Sequence, residues 1–235
     1  MVISAFVGDY LVAALADGAG SAAHSEIGAE MACRAALEFL KPKLDPKLSP
    51  NSNETGWKGL LAEAAKTARL AVLKEAEQAK RSPRDYASTL ILIIASRSFA
   101  TAFQIGDGAA LALDGLGQLT CLTAPAESEY LNETIFLTAE QGIETARFGF
   151  FTGNLKGLAA FTDGLQMLAL KMPGATPHLP FFTPLFKFLE QEIVAASAHE
   201  KLKSFLASPR ITQRADDDLT LFLALFTDRP NETGG

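Results

Sequence analysis

A chain of 235 residues, 48% of them hydrophobic and 20% charged, has enough apolar material for one large domain with a sizeable core. Its net charge of −6, with 21 basic residues scattered along the chain, argues against a nucleic-acid or anionic-membrane partner. The two cysteines, Cys33 and Cys121, have no motif spacing, so a disulfide framework and a zinc site are both unexpected and a reducing cytoplasm fits.

In chain order, the first residues lack the basic region of a signal peptide, and Asp9 makes a turn before a strand at 10–16. Residues 25–40 repeat Ile27, Met31, Ala35 and Phe39 on one helical face, with Ser25 as N-cap and Pro42 setting the end. Three prolines and two asparagines make 41–55 a loop. A second helix follows, striped by Trp57, Leu60, Leu61, Ala64, Ala68 and Val72. Apolar runs at 88–95, 99–105, 109–113 and 118–122 are divided by short polar turns, including Asp107-Gly108 and Asp114-Gly115, and describe an antiparallel meander. Further strands are expected at 133–138, 145–151 and 158–162, then a helical turn at 165–170. A proline- and aromatic-rich loop is expected at 172–184, then helices at 185–198 and 199–207 and a last strand at 219–226. No apolar run is long enough to span a bilayer. Helices grouped between runs of strands predict an α+β fold: two antiparallel sheets, each covered outside by a helix pair, in a four-layer α-β-β-α sandwich. We expect a single domain over 1–226 and a flexible polar tail at 227–235.

Four acids share a context. Asp17, Asp107, Asp163 and Asp217 each stand where an apolar strand ends or begins. Any one Asp-Gly pair is most simply a turn. If the strand ends converge, however, several carboxylates meet with little counter-charge and call for a cation. A hard-oxygen donor set without His or Cys suits Mg²⁺ or Mn²⁺ better than zinc. Of the histidines, His24 lies close to the Asp17 loop but is most simply solvated at a helix start, and His178 and His199 read as structural. Ser88-Thr89 reads as the start of a sheet-centre strand, because no His-Asp partner arrangement accompanies it. The Phe-rich stretch 181–188 reads as core.

Taken together, Ala16-Asp17-Gly18-Ala19-Gly20-Ser21-Ala22, Ser88-Thr89-Leu90, Ile105-Gly106-Asp107-Gly108-Ala109, Phe161-Thr162-Asp163-Gly164-Leu165 and Asp217-Asp218-Leu219-Thr220 resemble the ordered motif series of the metal-dependent type 2C serine/threonine phosphatases. The resemblance runs from about Tyr10 to Phe226, and its Asp-Gly-Ala-Gly-Ser variant is most similar to a bacterial branch. It implies a four-layer sandwich with two Mn²⁺ or Mg²⁺ ions between the sheets. By position, Asp17 would bridge both metals, the Gly18 carbonyl would hold one, and Asp163 and Asp217 would complete the other. Asp107 would help hold a third, weaker metal. The implied reaction is hydrolysis of phosphoserine or phosphothreonine in a phosphoprotein by a metal-bridged hydroxide, with no covalent intermediate.

The chain departs from that family in two respects. The family's first strand, which carries a phosphate-gripping arginine and a further acid, would precede Met1, and Arg34, Arg97, Arg147, Arg210 and Arg214 all read as surface residues. No phosphate ligand is therefore assigned. Ala19 also stands where some members have a histidine. These departures leave an alternative open, a pseudophosphatase or regulatory binding module that holds metal or a partner without turnover. A haloacid-dehalogenase-type phosphatase is excluded, because it needs an acid two residues before Asp17 and that position is Leu15.

Overall fold

The computed structural model describes residues 1–44, 53–125, 134–192, 194–215 and 217–227. Its first sheet has five antiparallel strands in the order β1 (Val2–Val7), β2 (Tyr10–Leu15), β3 (Leu90–Ser96), β4 (Phe99–Ile105) and β7 (Arg147–Thr152). In the second, β11 (Leu221–Leu225) pairs with β8 (Leu155–Phe161), which pairs with β5 (Ala109–Asp114), which pairs with β6 (Leu119–Thr123). A short ribbon joins β9 (Leu170–Lys171) to β10 (Thr176–Pro177). The helices are α1 (Ser25–Leu40), α2 (Glu54–Gln78), the single turn α3 (Gln166–Ala169), α4 (Leu179–Gln191), α5 (Ala195–Leu206) and the single turn α6 (Pro209–Thr212).

The layers follow from strand alternation. Val12, Ala14, Leu90, Leu92, Ile94, Phe103 and Ile105 face outward and pack on Ala32, Cys33, Ala36 and Leu37 of α1 and on Trp57, Leu61, Ala65 and Ala68 of α2. Their neighbours Leu11, Ala13, Leu15, Ile91, Ile93, Ala95, Ala100 and Ala102 face inward, against Ala110, Ala112, Leu158 and Ala160 of the second sheet. The opposite face of that sheet, with Leu111, Ala159, Phe161 and Leu221, packs on Phe182, Leu185 and Phe186 of α4. β3 is a continuous apolar run because both its faces are covered. The inner layer is rich in alanine, which lets the sheets approach closely.

The α+β sandwich agrees with the order of elements read from the sequence; several boundaries do not. Residues 2–7 form a strand where only a turn at Asp9 was expected. β1 is an edge strand of alternating exposed and half-buried residues, registered from Val2↔Leu15 to Val7↔Tyr10, and it contains neither an arginine nor an acid. Its signal is weak because half its side chains face solvent. In place of the expected strand at 133–138, residues 134–136 are irregular and 137–141 are in turns; residue 133 lies outside the described residues. The expected loop at 172–184 gives way at Leu179 to α4, despite Pro184 within the helix. Fully or nearly fully buried Phe182, Leu185 and Phe186 outweigh the hydrogen bond that Pro184 cannot donate. Residues 228–235, most of the expected tail, lie outside the described residues.

Candidate metal centre

Strand directions gather the acids. β2 runs toward Asp17, and the antiparallel β3 starts beside it, with Leu15 opposite Ile91. β4 returns to the same end, where Leu90 faces Ile105, and Asp107 lies in the turn that leads into β5. In the second sheet Phe161 is registered with both Ala109 and Leu221, so Asp163 follows β8 and Asp217 precedes β11 at that end too. Residues separated by up to 200 positions thus share one mouth of the sandwich, half-buried for Asp17, Asp107 and Asp163 and exposed for Asp217.

Backbone geometry fixes the two loops nearest the inner layer. Asp17 donates its N–H to Thr89 Oγ1 at 2.9 Å and accepts from the Thr89 N–H at 2.8 Å, while the Ala19 N–H donates to the Ala87 carbonyl at 2.9 Å. This bridge, between Gly18 and Ser88, leaves the Gly18 carbonyl outside its pair of hydrogen bonds. A Cβ on Gly18 would stand 2.6 Å from Ser25 Cβ and 2.9 Å from the Ser25 backbone, so α1 begins this close to the loop only because residue 18 is glycine. Around Asp107, Gln104 donates through Nε2 to the carbonyls of Gly106 (3.1 Å) and Gly108 (3.0 Å). Thr134 Oγ1 donates to Asp107 Oδ2 at 2.6 Å, and Arg147 Nη2 donates to the Gly106 carbonyl.

Electrostatics couple the acids. The Asp163 carboxyl is pushed up to about 7, first by burial and then by the charges of Asp107, Asp17 and Asp217. Asp17 is also raised, chiefly by burial; Thr162 and the amino terminus oppose the rise and Asp217 adds to it. The Thr162 hydroxyl lies near enough to Asp17 to favour its charged form but reaches no partner at full hydrogen-bond geometry. Burial pulls Arg147 below its usual value while Asp107 pulls it back up, and its Nε is buried without a partner.

Among the described residues, no three His, Cys, Asp or Glu side chains stand close enough together to hold a metal ion as placed. Asp163 nevertheless feels the charges of Asp17, Asp107 and Asp217 across the mouth. The four acids fit a divalent ion: the donors are hard oxygens, and the repulsion that lifts Asp163 is what a cation relieves.

The sequence marks Ser88-Thr89 as the start of a sheet-centre strand but not as a support of the Asp17 loop. Ser88 and Thr89 are buried and form the far side of the Asp17 loop. Arg147, read as a surface residue, is half-buried beside Asp107. His24 is half-buried rather than solvated, with its ring 5.3 Å from that of Tyr86. His178 is structural, its Nδ1 lying 3.0 Å from the Leu168 carbonyl, and Phe182 and Phe186 are core.

Comparison with known proteins points one way. The family model for protein phosphatase 2C matches residues 3–207. Serine/threonine-protein phosphatase 3 of Escherichia coli (strain K12) is 37% identical over 222 residues, covering 91% of this chain and 83% of that protein. Among solved structures, the catalytic domain of the serine threonine protein phosphatase PstP in complex with two manganese ions superposes with a TM-score of 0.58 at 17% identity, over 94% of this chain and 89% of that one. Serine/threonine phosphatase Stp1 from Staphylococcus aureus gives 0.60 at 13% identity, over 96% and 89%.

Proposed function

This chain belongs to the protein phosphatase 2C family and is a metal-dependent protein serine/threonine phosphatase; we propose that Asp17, the Gly18 carbonyl, Asp163 and Asp217 hold two Mn²⁺ or Mg²⁺ ions and that Asp107 serves a third, weaker site. The supporting observation is the meeting of four carboxylates at one end of both sheets, with Asp163 lifted to about 7 largely by burial and by the other three. When bound, such a metal pair acidifies a water and neutralises phosphoryl oxygens.

The chain's own residues supply position. Thr89 fixes the Asp17 backbone from both sides. Gln104 and Arg147 hold the carbonyls that flank Asp107. Asp107 already accepts from Thr134 and faces the Arg147 charge, so its pull on a further cation is weaker than that of Asp17 or Asp163. The substrates are phosphoproteins. We assign the enzyme to the cytoplasm on its two free thiols, Cys33 and Cys121, and no helix among the described residues is long and apolar enough to cross a membrane.

Aryl-phosphate and phosphopeptide hydrolysis with Mn²⁺ or Mg²⁺, against a chelator control, tests the site. Asp17→Asn and Asp163→Asn are expected to lower turnover by more than about a hundredfold, the scale on which removing one preorganised charge-stabilising group acts. Asp107→Asn should act less severely. Full activity in the first two variants refutes the ligand assignment.

A further inference from the structure

A groove of about 1240 Å³ opens beside the metal centre. Ala19 and Ser21 of the Asp17 loop line it, Ser82, Arg84 and Ala87 form one wall, and 134–136 with 138–141 supply the other. Its walls are hydrogen-bonded to the loops that carry Asp17 and Asp107. Ala87 accepts the Ala19 N–H, Thr134 donates to Asp107, and Leu137 donates to the Ser88 carbonyl at 2.8 Å.

The wall that carries Arg84 is unusual for this protein. In a chain of net charge −6, Lys80-Arg81-Ser82-Pro83-Arg84 puts three cations in five residues, of which Arg84 lines the groove and Lys80 and Arg81 lead into it. All three are exposed, and none of their side chains has an ion-pair or hydrogen-bond partner among the described residues. The backbone is bent to present them: α2 ends in a turn where Lys80 has φ +54°, the Lys80 N–H donates to Glu77 and the Arg81 N–H donates to Ala76 at 2.8 Å. That left-handed position usually falls to glycine or asparagine, so a lysine there carries a conformational cost. Ser82 then accepts from the Arg84 N–H and starts the turn Pro83–Tyr86, which leads back to the metal centre. Glu140 stands on the opposite wall.

We propose that this groove docks the peptide flanking the phosphorylated residue, and that Lys80, Arg81 and Arg84 select substrates with acidic or additionally phosphorylated residues on one flank. The proposal rests on the phosphatase reading of the adjacent acids and goes beyond it by naming a substrate class. Arg84 on one wall, with Lys80 and Arg81 just before it in the chain, and Glu140 on the other make the groove polar across its width, so acidic residues on one flank are attracted and those on the other are not. Exposed charge pairs of this kind contribute modestly and are screened by salt.

Three phosphopeptides test it, with aspartates before the phosphoresidue, after it, or on neither side. The wild-type protein is expected to prefer one acidic flank in kcat/KM, through KM, by roughly two- to fivefold per cation engaged, and the preference should shrink as salt rises. In Arg81→Ala/Arg84→Ala the ratio between peptides should approach one, and in Arg81→Glu/Arg84→Glu it should invert, while Arg81→Lys/Arg84→Lys keeps it. Fluorescence polarisation of the same labelled peptides gives the affinity ratio independently of turnover. A wild type with no flank preference in either measurement overturns the docking proposal, as does a preference that survives charge reversal. A preference in binding without metal-dependent hydrolysis of any phosphopeptide or aryl phosphate instead overturns the catalytic reading and leaves the groove assignment standing.

Discussion

Asp163 shows how one side chain can be costly to the fold and useful to the site. Its carboxyl ionises at about 7 in the folded protein against an ordinary value of 3.8, because burial and three neighbouring carboxylates oppose the charge. The unfolded chain therefore releases this proton at lower pH than the folded one. The group's contribution to stability is fully present below pH 3.8 and is lost as pH rises toward about 7. Asp17 is shifted in the same direction and adds to the trend. In chelator, Asp163→Asn should gain stability over the wild type progressively between pH 4 and pH 7, with the gain constant above that range. Urea titrations across this interval measure it, and a difference that does not change with pH sinks the assignment of the charge.

At the scale of elements, the turn between β4 and β5 joins the two sheets and carries Asp107. Gly108 has φ +96° there, and a Cβ would lie 2.4 Å from the Phe161 carbonyl. Gly108→Ala therefore combines backbone strain with a contact that requires β8 to move. We expect a loss of about 1–3 kcal/mol, read as a lower urea midpoint with unchanged slope. Because Phe161 directs Thr162 and Asp163, metal affinity should fall with it, and a variant as stable as the wild type would refute the packing argument. The glycine was visible in the sequence as turn punctuation, but its close approach to β8 was not, since that contact joins segments more than fifty residues apart. The same limit explains which elements were legible. β3 and α1 announce themselves because the core reads every turn or every residue of them. β1 shows only alternate half-burial, and α4 contains two prolines that speak against a helix until Phe182 is known to be buried.

Across the whole molecule the four acids were legible as a set because antiparallel pairing sends each strand back to the end its predecessor left. The strand pattern could therefore mark Asp17, Asp107, Asp163 and the run Asp216-Asp217-Asp218, within which the family resemblance selects Asp217, although not the register that brings them together. The groups that shape their surroundings were illegible for a different reason. Thr89 reaches Asp17 across 72 positions, Arg147 reaches Gly106 across 41 and Thr134 reaches Asp107 across 27, and although Thr89 belongs to a recognisable motif, no spacing shows which residue each of them meets. Both sheets converge on a mouth of like charges, so the fold as a whole carries repulsion that a divalent cation removes, and ion binding becomes folding stability by mass action. At a free Mn²⁺ concentration of about 100 Kd the linkage is about 2.7 kcal/mol for one site, which in a domain of this size raises Tm by roughly 5–10 °C. The rise should be larger at pH 8 than at pH 5, where Asp163 keeps its proton and competes with the metal. It should be mostly absent from Asp163→Asn. Scanning calorimetry in Mn²⁺ against sodium chloride of equal ionic strength separates specific binding from screening, and an equal rise in both salts would show that the acids hold no ion.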